Sequence, residues 1–291
     1  MVVTMNLDYI VPILYVLAAP LIGGLLMGLD RKITAHMQGR VGPPVLQPFY
    51  DVIKLWGKEP FISSRMQPIL ATGYLVFIFT GLTLLALGAD LLHIFFTLTL
   101  ADVCLIVSAF NSESPYSNLG GRRELLAMLS YEPILVLTAM SIQIVTGSFL
   151  VSGIFRYGTP LLLVMPAAFI AQLLVLIIDM KKSPYDVSGS GHAHQELVRG
   201  VYTEFSGYTM ALVELGHWTK TVFILSLISL FWAQNLLLGA VLALALWFAA
   251  ILADNVYPRL NWRSMLRTTW LTGFTLILAN FVVLKVVMEV I

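Results

Sequence analysis

Charge is scarce in this sequence. Asp, Glu, Lys and Arg make up 11% of its 291 residues, less than half of the about 25% that soluble domains carry. That scarcity excludes a water-soluble fold and a disordered chain. Cysteine is nearly missing as well. Cys104 stands alone, and one thiol neither closes a disulfide within the chain nor holds an iron–sulfur cluster. No Lys or Arg precedes the first apolar run, which begins near Asp8, so a cleaved signal peptide is not expected. Phosphate loops, a Ser-His-Asp order and a zinc-protease helix are also absent, and the glycines at 189–191 follow no strand. His192 and His194 have a metal-like spacing but no third ligand nearby. A self-contained active site, a metal site and nucleic-acid binding are therefore not expected.

What is present is apolar. Such residues form 58% of the chain, in continuous runs rather than the alternation of an outer-membrane barrel. With about 20 residues per crossing, spans fall at 8–29, 68–88, 91–110, 124–147, 160–180, 209–232, 235–254 and 267–288. The expectation is an all-α polytopic membrane protein: one domain, 1–291, of eight transmembrane helices. Of its 17 Lys and Arg, all but Arg156, Lys220 and Lys285 follow odd-numbered spans. The positive-inside rule then places those connections in the cytoplasm and both termini outside. The long connections, 30–67 and 181–208, lie on that inner side and form the expected contact face for soluble partners. From Gln47 to Lys58, Gln47, Asp51, Lys54 and Lys58 share one helical face and Phe49, Val52, Ile53 and Trp56 the other, as in an interfacial amphipathic helix in contact with the bilayer.

Ionisable residues inside spans are costly and point to function. Asp102 stands in the third span, one turn after Thr99, and Glu132 in the fourth. In the sixth, Glu214, His217 and Lys220 follow at i, i+3, i+6, a polar stripe on one side of a helix. Asp186, Glu196 and Glu204 crowd the loop before it. Carboxylate, imidazole and amine are the groups whose proton affinity burial tunes toward neutrality. Together they outline a hydrated acidic path for proton or ion coupling. The alternative is an ion-pair network that only holds helices together.

Four stretches resemble one family. Asp30-Arg31-Lys32 with Gln38, Arg40, Gly42-Pro43, Gln47-Pro48 and Asp51 to Leu55 is similar to the segment after the first helix of the H subunit of respiratory complex I. Ser130-Tyr131-Glu132, Pro184-Tyr185-Asp186, and Glu196-Leu197-Val198 continuing to Thr203-Glu204-Phe205-Ser206-Gly207 resemble its later motifs. His217 stands where complex I members keep a glutamate, and the bridge from Gly42 to Gln47 is short. Gly121-Arg122-Arg123-Glu124 and His194-Gln195-Glu196 look most like the membrane anchors of energy-converting (group 4, Ech-type) nickel–iron hydrogenases.

The resemblance implies a non-redox membrane subunit of a ferredoxin-dependent, hydrogen-evolving complex in the cell membrane of a prokaryote. Its iron–sulfur clusters and nickel–iron centre would sit in partners: the hydrogenase small and large subunits and an iron–sulfur subunit. An antiporter-like membrane subunit would be its neighbour. Asp30, Arg31, Arg40, Gln47, Pro48, Asp51, Lys54 and Arg123 would seat the soluble arm. Rival readings are a complex I or formate-hydrogenlyase-type subunit, a purely structural anchor, and a secondary transporter.

Overall fold

A computed structural model describes residues 7–185 and 199–290. Among these the secondary structure is helical, apart from isolated bridges pairing Asp90 with Leu150 and Tyr185 with Leu260. The helices are α1 Leu7–Met37, α2 Gln47–Trp56, α3 Met66–Ala86, α4 Leu91–Phe110, α5 Pro115–Thr146, α6 Val151–Arg156, α7 Leu161–Val164, α8 Pro166–Asp179, α9 Gly207–Ser229, α10 Leu236–Val256, α11 Trp262–Thr268 and α12 Thr275–Val290. A π-helical segment, Thr269–Phe274, joins α11 to α12.

Seven of these stretches are long and apolar enough to cross a membrane. The eighth expected span is present in two pieces. Met165 (φ −133°, ψ 61°) interrupts it between α7 and α8, because Pro166 disfavours helical geometry in the residue before it while suiting the first turn of α8. Pro133, inside α5, does not break its helix. The short outer connections are set by caps. Asp90 accepts from Leu92 N at 2.8 Å to start α4, and Asn235 accepts from Leu237 N at 3.1 Å to start α10, each satisfying an orphan donor.

Several boundaries differ from the apolar runs. α1 continues to Met37, so Asp30 and Arg31 stand on a helix and not in the connection expected from residue 30. α5 begins at Pro115, which puts Arg123 and Glu124 on its early turns rather than at its mouth. Polar residues extend a transmembrane helix past the bilayer without an apolar signature. The amphipathic helix is α2, with Pro48 in its first turn. Pro48 is buried, whereas Tyr50, Ile53 and Trp56 are exposed. Phe49 packs edge-on against Trp218 of α9, ring centroids 5.4 Å apart.

The core lies around α9, which buries Met210, Val213, Trp218, Phe223 and Ile228 against its neighbours. Gly216 is required there: a Cβ would lie 2.4 Å from the ring of Tyr74 on α3. By contrast, Val11, Leu14, Leu17 and Leu21 of α1, with Leu237 and Val241 of α10, stay exposed, as lipid-facing side chains do.

Candidate functional site

The stripe on α9 divides between two environments. Lys220 points into the protein interior, where its Nζ donates to Asp102 Oδ1 at 2.7 Å and Oδ2 at 2.9 Å on α4. Tyr131 of α5 donates its hydroxyl to Asp102 Oδ2, and Lys220 Nζ reaches that hydroxyl at 3.4 Å. From α8, Asp179 Oδ1 comes within 2.5 Å of the same ammonium. Asp102, Asp179 and Lys220 are 2%, 4% and 4% exposed. Four helices thus converge on one buried ion cluster.

Beyond Tyr131 lies a small cavity of about 100 Å³ lined by Thr99, Asp102, Tyr131, Glu132 and apolar side chains including Phe95 and Leu135. Thr99 donates its hydroxyl to Glu132 Oε1. The i, i+3 relation of Thr99 and Asp102 therefore places both against α5, each meeting one of the adjacent residues Tyr131 and Glu132.

On the other side of the cluster, one turn back along α9, His217 and Glu214 line a cavity of about 330 Å³ with Asp30, Arg31, Lys181, Lys182 and Arg199, and with Asp254 and Arg259. A second cavity of about 370 Å³ shares Arg31, Arg199 and Glu214 and adds Asp51, Lys54 and Lys58 of α2 and its neighbouring loop. Lys182 Nζ bridges Asp30 Oδ1 at 2.7 Å and Asp254 Oδ2 at 3.2 Å. Lys181 pairs with Glu124 at 3.1 Å and donates to the Tyr202 hydroxyl at 2.6 Å. Burial pulls the Lys181 pKa down, but attraction to Glu124, and then to Tyr202, outweighs it and holds the ammonium above the usual lysine range. Burial also raises the Tyr202 phenol.

The expected acidic path is thereby corrected in part. Among the described residues, Asp30, Glu214 and Asp254 face Arg31, Lys181, Lys182, Arg199 and Arg259 in the chamber beside His217, so its lining is predominantly basic. Asp186 and Glu196 lie outside the described residues. Glu204 is half-buried, and its carbonyl accepts from Gln67 Nε2 at 2.8 Å; it lines neither the chamber nor the cluster. Asp102, Glu132, Glu214, His217 and Lys220 are brought together as two cavities and the cluster between them.

The docking set is also redistributed. Asp30 is 4% exposed and held by Lys182 and Thr34, and Pro48 is buried in the seat of α2. Neither presents a surface to a partner, because an anion paired in the chamber and a ring packed under α2 are both covered. Arg31 pairs with Asp51 at 3.0 Å while both stay partly exposed, and Gln47 Nε2 donates to Asp51 Oδ1 at 3.0 Å. Lys54 and Arg40 are exposed, the latter donating to Gln38. Arg123 lies over the ring of Trp262, 5.4 Å from its centroid.

Sequence reasoning overlooked Asp179 and Asp254. A signal was available: each is an acid in the last turn of an apolar helix, where the helix dipole disfavours negative charge. Such a placement calls for a cation, and Lys220 and Lys182 supply it.

Among the described residues no group of three or more His, Cys, Asp or Glu side chains is arranged to hold a metal ion. The geometry defines a class: a polytopic helical membrane protein with a line of ionisable groups running from one face into its interior. The chain belongs to the NADH dehydrogenase family, whose model matches residues 10–285. It is 30% identical to Hydrogenase-4 component C of Escherichia coli K12, over 87% of this chain and 88% of that one. Formate hydrogenlyase subunit 4 of the same organism is 28% identical, over 93% and 97%. The H subunit of NADH-quinone oxidoreductase from Bacillus thuringiensis is 26% identical, over 89% and 87%. A chain of the membrane-bound sulfane sulfur reductase, an archaeal respiratory membrane complex, shares the fold with a TM-score of 0.83 at 22% identity, covering 95% of this chain and 99% of that one.

Proposed function

We propose that this chain is the membrane subunit of a ferredoxin-dependent, hydrogen-evolving energy-converting hydrogenase, in a prokaryotic cell membrane with both termini outside. It anchors the soluble redox arm and couples electron transfer to ion translocation. The observation that carries the reading is the Asp102–Lys220–Asp179 cluster, set between a charged chamber and the cavity of Glu132. A purely structural pair does not call for a cavity on either side. The hydrogenase assignment draws on the likeness to Hydrogenase-4 component C and Formate hydrogenlyase subunit 4.

In this reading the chamber faces the cytoplasm. Arg31 and the polar side of α2, with Asp51 and Lys54, line the adjoining cavity, where the hydrogenase small and large subunits and an iron–sulfur subunit would rest. Those partners would hold the iron–sulfur clusters and the nickel–iron centre. An antiporter-like membrane subunit would receive the coupling. A change of charge in the arm acts on that cavity electrostatically, shifting the balance among Arg31, Glu214 and His217 and so the occupancy of the cluster below. Nothing in the path needs an electron.

The test is hydrogen evolution from reduced ferredoxin by the complete complex in vesicles, with the ion gradient recorded. Glu132→Gln is expected to assemble and evolve hydrogen while building a gradient several-fold smaller. A full gradient in an assembled Glu132→Gln complex overturns the pathway. The likeness to Formate hydrogenlyase subunit 4 over 97% of its length favours one second reading, a formate-linked complex. Co-purification of a formate dehydrogenase in place of ferredoxin-dependent activity would select it.

A further inference from the structure

Most of the basic residues follow odd-numbered spans, and of the exceptions Lys220 is accounted for by its two acids. Arg156 is not. It ends α6, on the face opposite the chamber, where membrane proteins carry few cations. The side chain is exposed, and among the described residues no carboxylate pairs with it. Asp90, on the same face, is engaged as the cap of α4. Beside Arg156 opens a cavity of about 430 Å³, lined also by Ser148, Ser152 and Tyr157 and by no acidic side chain. Ser148 Oγ accepts from Leu150 N at 3.1 Å, which leaves its proton to donate. The Ser152 hydroxyl has no partner among the described residues. Two hydroxyls and a guanidinium in one acid-free pocket present their donors to an anion.

Another face of α6 closes a second cavity, of about 320 Å³. Val151 and Phe155 line it with Val11 and Tyr15 of α1, Leu85 of α3 and Leu236 of α10. Three hydroxyls reach this groove, and each is already used. Tyr15 bonds to Ser226, while Ser226 and Ser229 donate to the Val222 and Ser226 carbonyls of their own helix, each at 2.7 Å. An occupant therefore meets apolar surface. Val11, Phe155 and Leu236 are exposed, so the groove opens to hydrocarbon. The walls are fixed by the neighbouring connections: Leu91 N donates to the Phe149 carbonyl at 2.9 Å and Val151 N to that of Ala89 at 3.0 Å. Gln234 Nε2 donates to the Thr159 carbonyl at 2.6 Å. A donor pocket and an apolar groove thus flank one short helix, already formed.

We infer that an anionic phospholipid of the leaflet opposite the chamber is seated across α6, with its phosphate at Arg156 and Ser152 and one acyl chain in the groove beside Tyr15. The chemistry selects this occupant. A free anion would leave the groove empty, and an apolar helix of a neighbouring subunit would leave Arg156 without a counter-charge. A zwitterionic headgroup would bring an ammonium into a pocket that has no carboxylate to receive it. Arginine suits the phosphate because its planar fork offers two parallel N–H donors, where lysine offers a point charge. The seat lies at the other end of α9 from Glu214 and does not depend on the coupling reading.

The experiment is native mass spectrometry of the purified complete complex, exchanged into detergent and titrated with phosphatidylglycerol. The wild type is expected to retain one phosphatidylglycerol that Arg156→Gln binds about tenfold more weakly, as the loss of a charged hydrogen bond implies. Arg156 is exposed, so this variant should assemble as the wild type does. Val11→Trp, which fills the groove from an exposed position on α1, should lose the same lipid with Arg156 intact. Phosphatidylcholine should replace it poorly, and an excess of glycerol phosphate should not displace it. Equal retention by the wild type and Arg156→Gln, or by the wild type and Val11→Trp, overturns the inference. Displacement by glycerol phosphate would reveal a site for a free anion and overturns it equally. A wild-type complex that retains no such lipid, as when a neighbouring subunit fills the groove, overturns it too.

Discussion

Lys181 Nζ lies 3.1 Å from Glu124 Oε1, joining the segment just past α8 to an early turn of α5. Both side chains are 12% exposed. Lys181 has φ 55°, a left-handed conformation that turns the chain out of α8 and aims its amine at the chamber. A non-glycine residue holds that conformation only when its surroundings compensate, and Glu124 with Tyr202 provides the compensation.

Replacing Lys181 with Met removes the ammonium that Glu124 faces, and should cost about 3 kcal/mol, as loss of one partner of a buried pair does. The effect is read as a lower unfolding temperature of the detergent-solubilised complex. Its pH dependence follows from the raised pKa of Lys181. The stabilisation is complete below the unfolded lysine value of about 10.4 and is lost only as pH rises through the higher folded value. The difference between wild type and Lys181→Met should therefore stay constant from neutral pH to about pH 9. A difference that faded by pH 8 would contradict this account.

Lys182 serves two anions, Asp30 and Asp254, and Asp254 Oδ1 also accepts from Ser183 N at 2.8 Å. Taking away one acid leaves the lysine its other partner. Taking away the lysine leaves two acids facing each other. Asp30→Asn should thus cost about 1 kcal/mol, and Lys182→Met about 3 kcal/mol or more. Lys182→Met combined with Asp30→Asn should be less damaging than the sum of the two, since the groups share one network. Thermal unfolding of the three variants decides it, and strict additivity would show that the three groups act independently.

How much of this was legible varies with the range of the interaction. The spans were readable because each is a local run of apolar residues. Asp102 and Lys220 were visible as ionisable groups inside such runs. Their pairing was not, because 118 positions separate them and no periodicity links two helices so far apart in the chain. Asp179 escaped notice because it stands at the very end of its span, beside Met180, Lys181 and Lys182, where an acid reads as part of the boundary. Asp30 was placed among the docking residues by the resemblance of Asp30-Arg31-Lys32, whereas the helix turns it inward toward Lys182. The charge of the chamber was misjudged for a related reason. The acids expected to line it are clustered in sequence between 186 and 214, whereas its described bases arrive from α1, the segments just past α8 and α10, and the loop before α9.

At Gly120, α5 packs closely against the turn at Gly200–Tyr202. A Cβ there would stand 2.3 Å from Val201 N and 2.4 Å from the Gly200 carbonyl carbon. Those are backbone atoms, so the turn as a whole would have to move, and Tyr202 would leave Lys181. Gly120→Ala should cost about 1–3 kcal/mol by overpacking and expose the turn to protease in solubilised complex. Gly57→Ala is the control, since its nearest atom lies at 3.8 Å and no effect is expected. Equal protease resistance in the two variants would refute the close contact.

Thr99 offers the finest test of the cavity beyond the cluster. Its one hydroxyl hydrogen has two acceptors within reach, the Phe95 carbonyl at 3.1 Å and Glu132 Oε1. The helix carbonyl already has a backbone donor, whereas Glu132 stands in a cavity of mostly apolar walls and has no other hydrogen-bond partner among the described residues. The hydroxyl therefore contributes most where it fixes the carboxyl group in the direction of Tyr131 and Asp102. Thr99→Val keeps the shape and removes the donor, a loss of about 1–2 kcal/mol. Because Glu132 can then rotate away from its neighbours, the ion gradient per hydrogen evolved should fall by about tenfold, the equivalent of about 1.4 kcal/mol. Thr99→Ser, which retains the hydroxyl, should keep most of the gradient at equal assembly. If Ser and Val behave alike, the hydroxyl does not orient Glu132 and the carboxylate works without it.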